Sequence, residues 1–160
     1  MKCIIGIDPG QTGGLAVVGD DMSASAIPMP TIATAYDVKA IHAWMIDQVL
    51  VADLIVIEKV GAMPKQGLSS TFKFGMGYGM LQGIAACMPQ ACVLVVPPVW
   101  KRLVLGSVYA HDKLGTIQFC RDKFPQVNLV LPRCRVPHDG MADALALAAY
   151  GQLILRSTND

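Results

Sequence analysis

The chain has 160 residues, 53% of them apolar and 16% charged. That balance suits one folded domain with a real core and excludes a disordered, collagen-like or coiled-coil chain. No run of about 18 apolar residues is available to span a bilayer, and the first ten residues reach Asp8 and the Pro9-Gly10 turn too soon for a secretory leader. A single soluble, cytoplasmic domain over residues 1–160, with no membrane contact, is expected. Five cysteines (Cys3, Cys87, Cys92, Cys120, Cys134) are odd in number and contain no CxxC, so they are expected to be reduced core thiols. The net charge of +1 conceals a gradient: residues 1–58 carry −5, residues 59–138 carry +8 and residues 139–160 carry −2. A basic middle attracts a polyanion. Solvated faces are the ordinary reason for charge, so the gradient gains meaning only where acids converge beside it.

In chain order, Lys2–Asp8 (KCIIGID) is a short apolar run ending in an acid, the pattern of a buried strand. Pro9–Gly14 (PGQTGG) is a tight turn, and Leu15–Val18 resumes as a strand, which makes a hairpin. Ser23–Met29 is a third strand. Over Asp37–Leu50, Val38, Ile41, Met45, Ile46 and Val49 recur at helical spacing. Leu54–Glu58 (LIVIE) is a fourth strand, again closed by an acid, and Gly61–Ser70 is a loop. Ser70–Met88 is a helix despite its glycines. Val93–Val96 is a fifth strand, stopped by Pro97-Pro98. Pro98–Leu105 and Asp112–Phe124 are short helices separated by a turn over Gly106–Ala110, and Asp139–Leu155 is an Ala- and Leu-rich helix. The order predicts an α/β domain with a mixed sheet.

Chemistry concentrates at element ends. Asp8 and Glu58 each follow a buried apolar run, where a carboxylate is costly unless something pairs with it. Asp139 and Asp143 are four residues apart, about 400° around a helix, so they share a face and repel unless a cation intervenes. Taken alone, that last pair reads equally as an N-cap and an exposed polar position. Oxygen-only ligands favour hard cations, and two to four carboxylates suit Mg²⁺ or Mn²⁺. Two such ions activate a water and stabilise a leaving oxygen in phosphodiester hydrolysis, and a basic surface beside them suits nucleic acid.

The runs Ile5–Gly10 (IGIDPG), Ile55–Val60 (IVIEKV), Lys73–Gly83 (KFGMGYGMLQG), Val99–Gly106 (VWKRLVLG), Lys113 and Asp139–Ala149 (DGMADALALAA) resemble the RuvC-type Holliday junction resolvases, in spacing most nearly their bacteriophage branch. The resemblance implies an RNase H-like mixed five-stranded sheet with helices on both faces. It implies a homodimer that nicks four-way DNA junctions with Mg²⁺ (Mn²⁺ substituting), two ions per site. It assigns Asp8, Glu58, Asp139 and Asp143 to the metals and places Lys101 and Lys113 near the scissile phosphate. In many members the last two acids lie three residues apart. Here Gly140 holds that place, and Asp139 and His138 both stand as the fourth ligand. Bacterial members carry a junction-probing Phe shortly after the Glu. Gly61 stands there, leaving Met63, Phe72 or Phe74 as substitutes.

Lys65, Lys73 and Arg102 join the two lysines as DNA contacts, with a solvated surface as the plain alternative. Phe72 and Phe74 read first as helix packing, and Trp100 as packing that positions Lys101. Met76, Met80 and Met88 read as core or interface filler. Gly75, Gly77, Gly79 and Gly83 cost about 1 kcal/mol each in a helix relative to Ala, which close approach of another helix would offset. Competing readings are a broader branched-DNA nuclease, a non-catalytic junction binder, and a nucleotide-binding module of the actin and sugar-kinase type, for which Asp8–Gly13 (DPGQTG) is a plausible phosphate loop.

Overall fold

The computed structural model describes residues 2–49, 52–61, 67–110, 112 and 114–157. Met63, Lys65 and Lys113, singled out above, lie outside the described residues. In chain order the elements are β1 (Cys3–Asp8), β2 (Gly14–Gly19), β3 (Ala24–Pro28), β4 (Thr31–Ile32), β5 (Ala35–Tyr36), α1 (Val38–Val49), β6 (Ala52–Glu58), α2 (Leu68–Ala86), β7 (Ala91–Val95), α3 (Pro97–Tyr109), α4 (Gly115–Lys123) and α5 (Asp139–Ser157). Five strands form one sheet in the order β3-β2-β1-β6-β7. The β1–β2 and β2–β3 pairs are antiparallel, whereas β6 runs parallel to β1 and β7 parallel to β6. This is the expected mixed α/β sheet.

The central strands are apolar on both sides because both faces are covered. Ile5, Ile7, Leu15, Ile55 and Ile57 form one core with Ile41 and Met45 of α1 and Leu81 and Ala85 of α2. Ile4, Ala16, Val18, Leu54 and Val56 form the other with α3, α4 and the Ala-rich α5. The small residues have a steric reason. A Cβ on Gly6 of β1 would strike the α5 backbone at Ala144 and Ala148, and one on Gly151 would strike Ile4 and Val56. Helix α5 therefore rests directly on β1.

Three sequence expectations change. The expected turn over Gly106–Ala110 is a continuation of α3, kinked at Gly106, whose φ of +54° is left-handed. A short hairpin, β4–β5, follows β3 and was not expected. Its turn uses Ala33 at φ +52° in place of a Gly or Asn signal. Only Cys3 and Cys120 are buried, so the core-thiol expectation fails for Cys87, Cys92 and Cys134.

Helix α2 also departs from expectation. Phe72 is 67% exposed and Met76 59%, so neither packs in the core, whereas Met88 does. Phe74 is half-buried. Gly77 lies against the Tyr36 ring, while Gly75, Gly79 and Gly83 meet no neighbour within the described chain.

Candidate active site

The register of β1 and β6 pairs Ile7 with Ile57, so Asp8 and Glu58 finish adjacent strands side by side. With Ile7 and Ile57 turned toward α1 and α2, strand alternation turns Asp8 and Glu58 toward α3 and α5. Glycines bring α5 to them. A Cβ on Gly140 would strike Thr12 and Gly13, and one on Gly14 would strike Gly140 and Met141. The β1–β2 turn and the first turn of α5 therefore touch backbone to backbone. This explains why no acid occupies position 140: its side chain would have to enter that contact.

Asp143 lies one turn further along α5 and is half-buried. Burial pushes the Asp8 carboxyl up to about 8, with Asp143 and then Glu58 adding to the rise and Lys101 opposing it. Burial likewise pushes Asp143 up to about 6. Lys101 and the Thr116 hydroxyl oppose that rise, and Glu58 and Asp139 add to it. Asp8, Glu58 and Asp143 thus form one electrostatic group with Lys101. Asp139 is exposed on the first turn of α5 at its rim. His138 caps that helix: its Nδ1 accepts the Met141 N–H at 3.2 Å. The N-cap reading of Asp139 is therefore corrected, since His138 performs that task.

The basic residues flank this group. Lys101 follows Trp100 on α3, and its Nζ lies 5.2 Å from the centre of the indole ring. Trp100 is fully buried, as the packing reading required, and its Nε1–H also donates to Glu58 Oε1 at 2.9 Å. Lys101 and Arg102 line a cleft of about 660 Å³ with Gly106, Ser107, Asp112 and Thr116. On the other side, Lys73 and Phe74 of α2 line a cleft of about 520 Å³ with Pro9, Gly10, Gln11 and Tyr36.

Sequence reasoning missed three participants. Thr116 hydrogen-bonds Asp143. Tyr36 of β5 packs on Gly77, and its hydroxyl is pushed up by burial and then by the charge of Asp8, against a hydrogen bond with the Gly10 backbone. The third is the Trp100–Glu58 bond. None has a local signature, because each depends on partners 26 to 42 residues away.

Among the described residues, no three His, Cys, Asp or Glu side chains stand close enough to enclose an ion. The fit to a metal rests on donor chemistry and charge. Neighbouring carboxylates raise the proton affinity of half-buried Asp8 and Asp143 against the Lys101 ammonium, and an all-oxygen donor set of this kind suits a hard divalent cation.

No family model and no curated protein matches the chain. Solved structures do. RuvC of Thermus thermophilus in complex with a Holliday junction substrate is similar with a TM-score of 0.68 at 21% identity, over 98% of this chain and 96% of that one. A second T. thermophilus RuvC structure matches with a TM-score of 0.62 at 20% identity, over the same shares. The yeast mitochondrial Holliday junction resolvase matches with a TM-score of 0.52 at 12% identity, over 92% of this chain and 76% of that one. The polypeptide is thus folded as these resolvases are, in an RNase H-like α/β arrangement.

Proposed function

We propose that the chain is a metal-dependent endonuclease that nicks four-way DNA junctions as a homodimer. The observation that carries this reading is the convergence of Asp8, Glu58 and Asp143 with Lys101 between two clefts that both hold basic side chains. A merely structural site has no reason to gather carboxylates in this way, with Asp143 and Glu58 raising the cost of ionising Asp8 and Glu58 raising that of Asp143. Asp8, Glu58 and Asp143, with Asp139 at the rim, would hold Mg²⁺ or Mn²⁺, two ions per site, which when bound supply an activated water and stabilise the leaving oxygen.

The chain's own residues do the rest. Lys101 sets a positive charge where the phosphodiester gains negative charge, and a fixed ammonium favours that state over the ground state. Thr116 orients Asp143 by its hydrogen bond. Arg102 and Lys73 hold phosphates on either side. Lys65 as a DNA contact and Lys113 as a basic residue near the scissile phosphate are part of the proposal from the sequence, outside the described residues. Phe74 lies beside Gly10 and lines the cleft that opens just after Asp8, which makes it a better candidate than Phe72 to probe a junction base.

The homodimer is supported by one face of α2. Leu68, Phe72 and Met76 are 91%, 67% and 59% exposed, and Gly75, Gly79 and Gly83 meet no neighbour. These residues follow helical spacing, so a second copy of the chain would cover one continuous apolar, close-approach stripe. Among the described residues no helix is long and apolar enough to cross a membrane, and a cytoplasmic, bacterial or phage-encoded setting accords with the proposed substrate.

The deciding experiment incubates the purified chain with a synthetic four-way junction, and with duplex of the same sequence, with and without Mg²⁺. Paired nicks at the junction only with Mg²⁺ are expected. Mg²⁺-independent cutting, or no cutting beside tight binding, overturns the reading.

A further inference from the structure

We propose that Trp100 is a positioning residue that sets the Glu58 carboxylate and the Lys101 ammonium in one geometry. The inference rests on the nuclease reading and deepens it. Trp100 is fully buried. A buried indole N–H is a donor only and requires an acceptor. A core tryptophan ordinarily finds a backbone carbonyl. This one donates to Oε1 of Glu58 at 2.9 Å, across 42 residues of sequence. One carboxylate oxygen is thereby fixed and the other is left to a cation.

The same ring carries the Lys101 ammonium 5.2 Å from its centre, a cation–π separation. The backbone makes this bridge stiff. The Lys59 N–H donates to the Val95 carbonyl at 2.7 Å, and the Val99 and Trp100 N–H groups both point to the Val96 carbonyl. The end of β6, the end of β7 and the start of α3 are thus tied together, with Pro97 setting the first helical residue. Through one rigid side chain, movement of α3 would displace an acid and a base together. Partners of this kind commonly change metal affinity tenfold or more when removed.

The test uses the full chain, first without DNA. Trp100→Phe keeps the ring and removes the donor. Mg²⁺ raises the melting temperature of the parent chain, and the Mg²⁺ concentration giving half of that rise should increase about tenfold in Trp100→Phe. The Mg²⁺ half-saturation for nicking should move in parallel, with the rate at saturating Mg²⁺ within about threefold of the parent. In a Glu58→Gln background, Trp100→Phe should shift the Mg²⁺ midpoint by less than about twofold, because its route of action is gone. Trp100→Leu, which also loses the ring, should lower the saturated rate a further tenfold or so through Lys101.

A second measurement leaves Trp100 intact. The chain has two tryptophans, so Trp44→Phe assigns the two indole N–H signals in a ¹⁵N–¹H spectrum. The Trp100 signal should move with Mg²⁺ and with Glu58→Gln. An immobile signal, or a Trp100→Phe variant with an unchanged Mg²⁺ midpoint, reduces Trp100 to core filling and overturns the inference alone. A parent chain whose melting does not respond to Mg²⁺ overturns the nuclease reading, and the inference with it.

Discussion

Replacing Asp8 by Asn should stabilise the chain above neutral pH while abolishing the proposed cleavage. The folded Asp8 carboxyl titrates at about 8 against an ordinary 3.8, chiefly through burial and then through Asp143 and Glu58. Between those values the folded chain keeps a proton that the unfolded chain releases, so stability falls as pH rises. Across the three units from pH 5 to pH 8, at about 1.4 kcal/mol per unit, the loss reaches about 4 kcal/mol. Coupling to Asp143 and Glu58 spreads that figure over the group, so about 2–4 kcal/mol is the gain expected of Asp8→Asn at pH 8. For a chain of this length each kcal/mol moves the midpoint by about 2–4 °C. The variant should therefore melt about 5–15 °C above the parent at pH 8 and within a few degrees of it at pH 5. Mg²⁺ should raise the parent's midpoint at pH 8 far more than the variant's, because a cation offsets the charge that the substitution removes. The assay is thermal unfolding from pH 5 to pH 8 with and without Mg²⁺. Parallel pH profiles for parent and variant would refute the argument that these carboxylates are held together against their repulsion.

Other outcomes test neighbouring parts of the site. Lys101→Ala should slow single-turnover nicking by about 10²–10³-fold, the size of losing one oxyanion donor, with much smaller change in a gel-shift titration. Equal losses in rate and affinity would make it an ordinary phosphate contact. Glu58→Gln and Asp143→Asn should bind junctions at least as tightly as the parent yet cut them at background rate. Asp139→Asn should cost more activity than His138→Ala, which should lower the melting temperature by loss of a cap worth about 1 kcal/mol; the reverse order would make His138 the ligand. Lys65→Ala should flatten the log–log dependence of junction affinity on salt by about one, and an unchanged slope would return Lys65 to the solvated surface.

The fold was legible where the chain states its own periodicity. Buried runs such as IIGI and LIVI, each closed by an acid, announce central strands whose ends meet at one sheet edge. The Ala- and Leu-rich run from 139 announces a helix, and the structure adds that it lies directly on Gly6. Legibility failed where a local signal was absent or overruled. Ala33 at positive φ closes a hairpin that no turn residue marks, because the Asp37 N–H to Pro30 carbonyl bond and the Gln11 amide on the Thr34 carbonyl hold it from outside. Gly106 reads as a stop but only kinks α3, since Leu105 on one side is anchored in the core and Tyr109 on the other packs edge-on against Phe119.

The shifted acid on α5 follows from the same packing that builds the site. For Asp8 to meet Asp143, the first turn of α5 must approach the β1–β2 turn to backbone contact, and the residue at that contact is Gly140 between Thr12 and Gly13. An acid three residues before Asp143 would fill that gap and push the helix off the strand end. One position earlier, at 139, the side chain escapes to the exposed rim yet its charge still reaches Asp143. His138 is then free to cap the helix through Nδ1 and is held in place by its own N–H on the Leu129 carbonyl at 2.8 Å. The order His138-Asp139-Gly140 thus divides three tasks, capping, charge and close approach, among three consecutive residues. Exchanging Asp139 and Gly140 would put a carboxylate into the backbone contact and a glycine at the rim. That exchange should therefore cost both stability and the alignment of Asp8 with Asp143, although the composition of the site is unchanged.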